Sequence, residues 1–292
     1  MQDIFFIYAL LQFTSRIFGM HVDKALNANF QRARGRLGLS FEKSTGGNCL
    51  THLHQSGCLK AMIPKNYFSV PDVVLINTAG GVTGGDQLQI KADIGELAQA
   101  CFTTQTAERI YKSINGFGKI EVELDLEKAS KLDWIPQETI LFDKSAIKRT
   151  IKVNMQQSSH LLMLETIVLG RHAMGEAVTN NLFLDKWMIR RDDRLIYMEA
   201  LKLSNANELS GLAALGANKA LATILYVAPD AEERLSQMRN VLNKFELLAA
   251  ASAWDGKLVV RLVSTCQQFL RENLIRIITE FRGRELPKVW LM

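Results

Sequence analysis

The chain has 292 residues, 48% of them hydrophobic, with 35 Lys and Arg against 30 Asp and Glu. A length of this order buries one large core or two modest ones, and a net charge of +5 with both signs mixed along the chain is too weak to drive nucleic-acid binding. Four cysteines, Cys49, Cys58, Cys101 and Cys266, contain no C-x-x-C pair and are too scattered for a disulfide framework, so a reducing cytoplasm is the expected setting.

The first apolar run, Ile4 to Leu11, is too short to span a bilayer. Asp3 stands where a signal peptide carries positive charge, and no small-x-small cleavage site follows. Residues 1–19 therefore read either as a strand or helix packed on the body or, preferred here, as an N-terminal extension with Met20 as the working start, and no membrane association is expected. Residues 20–292 read as one domain, since five scattered prolines, no Ser/Gly tract and no fixed-period repeat leave nowhere to place a linker. The basic groups Arg32, Arg34, Arg36 and Arg190, Arg191, Arg194 read as solvated faces or as a patch meeting an acidic protein.

Period-2 alternation dominates from there to about residue 228. Leu37, Leu39 and Phe41 form the first strand pattern, then Leu88, Ile90, Ala92 and Ile94, then Ile120, Val122, Leu124 and Leu126, then Ile151, Val153 and Met155. Gly46-Gly47, Asn115-Gly116 and Asp192-Asp193 supply turns between them. The pattern predicts a mostly β fold, a large antiparallel or coiled β assembly. From residue 229 the period changes to helical. Asp230 with Glu233 makes a capping-box pattern ahead of Leu235, Met238, Leu242 and Phe245, and Ser264 with Gln267 precedes the stripe Cys266, Leu270, Leu274, Ile277, Ile278 and Phe281, which Gly283 ends. Lys257 to Val263 reads as a strand between these two helices.

Four segments carry groups that an ordinary core avoids. The run Gly80-Gly81-Val82-Thr83-Gly84-Gly85-Asp86 has the G-x-x-x-x-G spacing of a phosphate loop, yet Asp86 and Gln87 replace the Lys and Ser/Thr that phosphate needs. It reads either as a close approach to a cation or a partner's backbone, with Asp86 at its tip, or as a glycine-rich hairpin or bulge. Thr103 to Ser113 places Thr104, Gln105 and Arg109 in strand patterning. Trp134 to Asp143 sets Gln137, Glu138 and Asp143 among bulky apolar residues, and Gly170 to Glu176 follows the apolar strand Leu161 to Leu169.

A carboxylate removed from water needs a partner, and Arg109 and Arg171 are the candidates for Glu138, Asp143 and Glu176. Such pairs serve packing, a polar passage, or the acid and base of a hydrolase; two carboxyls about 5 to 10 Å apart in one pocket distinguish the last. No Gly-x-Ser-x-Gly elbow or clear Ser/His/Asp set is present. Cys49, His52, His54 and Cys58 make a separate cluster of types suited to zinc or nickel, although the spacing is not that of a recognised finger and ordinary strand residues account for it as well.

In this order and at these separations, Gly80–Asp86, Thr103–Tyr111, Trp134–Asp143 and Gly170–Glu176 resemble the signature blocks of the urease accessory protein family UreD, also called UreH. The resemblance runs from about Arg34 to the strand near Tyr226, with Ala79 and Cys58 where proline is common and Arg109 in place of a frequent lysine. It implies a non-enzymatic maturation factor with a coiled β body and two C-terminal helices, which binds apo-urease, recruits UreF and the GTPase UreG, and holds nickel only in transit. Imidazole and thiolate bind Ni²⁺ tightly, whereas carboxylates, amides and water bind it weakly, so a passage suits the weaker set. On this resemblance Asp86, Glu138, Glu176 and Asp143 attract the ion, with Thr104, Gln105, Gln137 and His172 beside them. Arg109 and Arg171 hold the carboxylates in place. A scaffold with no metal role is the remaining reading.

Overall fold

The computed structural model describes residues 31–65, 70–171, 175, 176, 178–205, 211 and 215–292; the expected extension at 1–19 and the choice of start lie outside them. Residues 33–292 form one unit. A hairpin of β1 (Arg34–Ser44) and β2 (Gly47–Gly57) opens it, followed by β3 (Leu59–Met62). The chain continues through β4 (Asp72–Asn77), β5 (Gln87–Ile94), β6 (Gln99–Thr104), β7 (Glu108–Ile110), β8 (Gly118–Leu126), β9 (Lys131–Trp134) and β10 (Thr139–Leu141). Four long strands come next, β11 (Ala146–Met155), β12 (His160–Leu169), β13 (Asn180–Arg191) and β14 (Arg194–Asn205). The C-terminal part holds β15 (Ala220–Val227), α1 (Leu235–Leu242), β16 (Leu248–Trp254), β17 (Lys257–Ser264), α2 (Gln267–Arg282) and a short 3-10 turn at Lys288–Trp290.

The chain passes back and forth between two sheets. One has the order β14-β13-β11-β8-β5-β1-β2; the other runs β16-β17-β15-β12-β9-β6-β4-β3, with β10 on β12 and β7 on β10. Each return lies parallel to the previous pass, from β1 to β5, β8, β11 and β13 in the first sheet and from β4 to β6, β9 and β12 in the second. The expected coil is therefore present, and antiparallel pairing is confined to the sheet ends.

Alternation stacks into rows across this coil. Leu37, Ile90, Val122, Ile151 and Trp187 are register partners along one row, and Leu39, Ala92, Leu124, Val153 and Ile189 along the next. These rows meet Phe102, Trp134, Leu161 and Met163 of the other sheet in the main core. Strand β12 is buried along both faces apart from its first residue, because its outer side chains Leu162, Leu164 and Val168 pack in a second core with the helices. The predicted stripe on α2 lies in that core as Leu270, Leu274, Ile277, Ile278 and Phe281, each such side chain contributing roughly 1.5–3 kcal/mol by leaving water.

The helix starts differ from the capping boxes that the sequence predicts. Neither α1 nor α2 has a side-chain cap. Asp230 instead accepts the Tyr226 hydroxyl, and Ser264 bonds the backbone of Cys266 one residue before α2. Partners two to four residues away in sequence take these side chains in place of the capping geometry. Gly283 does end α2, in the left-handed conformation at φ 66° with its N–H on the Thr279 carbonyl. Phe245 falls beyond the end of α1 yet still packs on the second core.

Candidate functional site

The four unusual segments meet in one place. Val82 bridges Ile110 in parallel, Ile110 is the register partner of Leu141 in β10, and Leu141 that of Leu169 in β12. The first three segments thus supply one rung each of a short parallel ladder at one margin of the second sheet, and the fourth rung, Leu169, leads directly into Gly170–Glu176. The glycine run makes this possible. The Val82 N–H donates to the Arg109 carbonyl and the Val82 carbonyl accepts the Tyr111 N–H, both at 2.8 Å. A Cβ on Gly81 (φ 154°) would lie 2.3 Å from the Tyr111 ring and 2.6 Å from the Arg109 carbonyl oxygen. What the backbone approaches is a neighbouring strand. Gly81→Ala is expected to lower stability by about 2 kcal/mol in urea denaturation, whereas Gly46→Ala, where the added Cβ would meet only the Ser44 hydroxyl at 3.8 Å, should change it by less than about 0.5 kcal/mol. Equal small effects at both positions would contradict this packing.

Asp86 is not the exposed tip of that loop. It is buried, its Oδ1 accepts Ala33 N–H and its Oδ2 accepts Thr83 N–H, both at 2.8 Å, so it ties the glycine loop to the start of β1. Asp143 is likewise a clamp, with Oδ1 accepting the backbone N–H groups of Thr179 and Asn180 and the Thr179 hydroxyl. Burial works against its charge, but these donors outweigh that and hold its pKa below the ordinary value. Glu176 takes two hydrogen bonds from the Arg171 guanidinium (2.9 and 3.2 Å), which holds its pKa down, and also accepts Asp143 N–H. The same guanidinium lies 4.5 Å above the Phe142 ring, whose other neighbour is Tyr111. His172 lies outside the described residues.

Arg171 is therefore the partner of Glu176, but Arg109 partners none of the three expected carboxylates. It is exposed, and the buried Glu138 pairs instead with Arg271 of α2 at 2.9 Å. Only docking of α2 on the sheet brings that cation there. Glu138, Asp143 and Glu176 do not converge on one cavity with free carboxyl groups, so the acid and base pair weighed from the sequence is not assembled.

The polar interior lies between the sheets instead. A cavity of about 100 Å³ is lined on the second sheet's side by Asn77, Thr104, Gln105, Glu108, Gln137, Thr139 and Glu165, and on the first sheet's side by Leu88, Ile120 and Arg149. Thr104, Gln105 and Gln137 are expected members; Asp86, Glu138, Asp143, Glu176, Arg109 and Arg171 lie outside its lining. The Gln137 amide nitrogen reaches the carbonyls of Thr104, Gln105 and Val289, and its backbone N–H donates to the Thr104 hydroxyl, which fixes this wall.

Three further ionisable groups sit at inward positions of the β rows. Arg149 of β11 and Asp185 of β13 are register partners, and Glu165 of β12 faces them from the other sheet. The Arg149 guanidinium donates through Nε and Nη2 to Asp185 (2.9 and 2.7 Å) and through Nη1 to Glu165 and Thr139. Trp187 and Trp134 add indole N–H donors to Asp185 and Glu165, at 2.9 and 3.0 Å. All three charged groups are buried. Burial pushes the Glu165 pKa up, while at Arg149 the two carboxylates outweigh burial and keep it protonated.

Glu108 has no such partner. The Asn77 amide donates to both of its oxygens at 3.2 and 3.3 Å, and no Lys, Arg or His forms a salt bridge with it among the described residues. Burial pushes its pKa up to about 7. The sequence reading passes over Glu108, Arg149, Glu165 and Asp185. For Arg149 and Asp185 the signal is a lone charge at an inward position of an alternating strand, as in Ile147-x-Arg149-x-Ile151 and Phe183-x-Asp185-x-Trp187.

The cysteine and histidine cluster does not assemble. Cys49, His52 and His54 are exposed on β2, with His52 opposite Ser40 and His54 opposite Gly38 in β1, and Cys58 packs against the main core. Among the described residues no group of three His, Cys, Asp or Glu side chains is placed to hold a metal, and no helix is long and apolar enough to cross a membrane.

Fold and site together define a class: a coiled parallel-β body with two C-terminal helices docked on one sheet and a carboxylate-bearing cavity between its sheets. The chain belongs to the UreD family of urease accessory proteins, whose model, described as UreD urease accessory protein, matches residues 33–291. It is 44% identical over 268 residues to the urease accessory protein UreD of Dinoroseobacter shibae, covering 91% of this chain and 95% of that protein. Identity to the UreD proteins of Rhizobium leguminosarum bv. trifolii and Xanthobacter autotrophicus is 42% and 39%, over 89% of this chain and 96% and 90% of theirs.

Proposed function

We propose that this chain acts in the maturation of urease, bound to the apo-enzyme together with UreF and the GTPase UreG, and that nickel on its way to the urease site passes through the cavity between the sheets. Membership of a family of urease accessory proteins supports the first part. The observation that carries the second is the donor set: carboxylates, amides and hydroxyls line the cavity, and the lining contains no histidine or cysteine. Oxygen donors of this kind attract a divalent ion without the affinity that would trap it. Asp86, Asp143, Glu138, Arg171 and Glu176 act around the passage by holding its loops, since each is engaged by backbone or by a fixed cation.

The test is to fill the cavity without touching its polar groups. In cells whose urease cluster lacks its own UreD gene, Ile120→Phe is expected to leave assembly with urease and UreF intact while lowering nickel per urease at least fivefold against the unsubstituted chain. Full nickel loading by a chain whose cavity is shown to be filled would end the passage reading and leave a scaffold.

A further inference from the structure

Half of the first sheet's outer face carries cations without acids. Alternation turns Phe183, Asp185, Trp187 and Ile189 of β13 inward, so Leu184, Lys186, Met188 and Arg190 face out. Lys148 and Lys152 of β11 are the register partners of Leu184 and Met188 on one side, and Lys202 and Met198 of β14 on the other. Met188 and Met198 thus lie side by side, with Lys152 next to Met188 and with Lys186 and Arg190 two residues before and after it. Met198 is 55% exposed, and the four lysines are exposed. None of these five cations forms a salt bridge among the described residues. The nearest acids in register, Glu121 and Glu123, stand on β8 at the edge of the face, opposite Thr150 and Lys152, and Asp192 of the β13–β14 turn accepts the Gln157 N–H.

Five like charges on adjacent strands repel one another, and that repulsion is relieved by a surface of opposite sign. An apolar centre with a polar rim is the anatomy of a protein interface, and methionine at such a centre adapts its shape to the side chain it meets. A second copy offering the same face would set cation against cation. Residues 1–32 have Asp3 and Asp23 against Arg16, Lys24 and Arg32, so that segment does not supply the opposite charge either. Nucleic-acid phosphates would meet the lysines but leave the methionine pair unmatched. We propose that the outer face of β11, β13 and β14 docks an acidic protein, whose carboxylates meet the five cations around an apolar side chain seated on Met188 and Met198. The proposal rests on the reading that this chain works within an assembly of proteins, and is independent of the nickel passage.

The full chain is co-expressed with apo-urease, UreF and UreG, and the amount of each recovered with it is measured at about 50 and about 300 mM NaCl. Lys152→Glu, Lys186→Glu and Lys202→Glu together are expected to lower recovery of at least one of the three about tenfold at the lower salt, with the urea midpoint of the isolated chain unchanged. Lys186→Glu alone should lower it about threefold, which keeps the test in force if the triple variant does not fold. Met188→Ser with Met198→Ser should lower it by a similar factor at both salt concentrations, because an apolar contact is not screened. A control reversal at the exposed lysines Lys43, Lys65 and Lys128 should change nothing. Recovery unchanged by the triple reversal, or lost equally in the control, overturns the docking surface. So does binding of phosphatidylglycerol vesicles or a DNA duplex that the triple reversal abolishes while protein recovery stays whole, since the face then belongs to lipid or nucleic acid. Recovery of none of the three by the unsubstituted chain sinks the assembly reading and this surface with it, whereas recovery of all three by every variant sinks only the surface.

Discussion

Arg149→Met is expected to destabilise the protein by about 3–5 kcal/mol, measured as the loss in urea denaturation at pH 7. The substitution removes the guanidinium that reaches Asp185, Glu165 and Thr139 and leaves two buried carboxylates facing each other with only the indole N–H groups of Trp187 and Trp134. Neither can regain water without opening the sheets, so at least one must take up a proton, and the loss should shrink as pH falls. The triple variant Arg149→Met, Glu165→Leu, Asp185→Leu is expected to recover most of the loss. The reason is that desolvation of three ionic groups offsets much of their mutual attraction, and a well-packed apolar replacement avoids both. A single variant within 1 kcal/mol of the unsubstituted protein would show that the trio is not closed off from solvent as its burial implies.

The second large effect is on the pH dependence of stability. Glu108 has an ordinary pKa of 4.5 and a folded-state value raised to about 7, with burial as the main cause. A raised carboxyl pKa means that the folded state binds the proton more tightly. Its stabilising contribution is therefore complete below about 4.5 and is lost as pH rises through about 7, a change on the order of 3 kcal/mol at most. Glu108→Gln keeps the shape and removes the titration, so it should exceed the unsubstituted protein by about 1–3 kcal/mol at pH 8 and differ little at pH 5. Asp143 and Glu176 act in the opposite sense. Their pKa values are lowered, so their contribution is present above the ordinary carboxyl range and fades as pH drops through the folded values, equally in both proteins. Parallel stability curves for the two proteins between pH 5 and 8 would contradict a raised pKa at Glu108.

The trio and Glu108 also bear on why the interior is not simply apolar. The row that begins with Leu88 and Ile120 would continue with apolar residues at Arg149 and Asp185 if packing were the only demand. Charge at those inward positions costs desolvation and leaves an acidic cavity beside it. That arrangement is what a passing cation requires, and it is the physical link between the fold and the proposed role.

Much of the architecture was legible in one dimension. Alternation at Leu37–Phe41, Leu88–Ile94, Ile120–Leu126 and Ile151–Met155 marks strands because side-chain direction in a strand has period two, and the stripe from Leu270 to Phe281 marks a helix for the corresponding reason. The four glycine-, amide- and carboxylate-bearing segments were also visible, together with the kinship they carry, since both depend on local residue order. What no local pattern contains is which strand lies beside which and what crosses between layers. Only the parallel coil brings Val82, Ile110, Leu141 and Leu169 into one ladder; only the docked α2 gives Glu138 its arginine; and only the facing of two sheets closes Arg149, Glu165 and Glu108 around a cavity while leaving Cys49, His52 and His54 on a surface strand. Strand propensity and period act over a few residues, whereas ion pairing and desolvation depend on distances through space, and those are set when the coil closes.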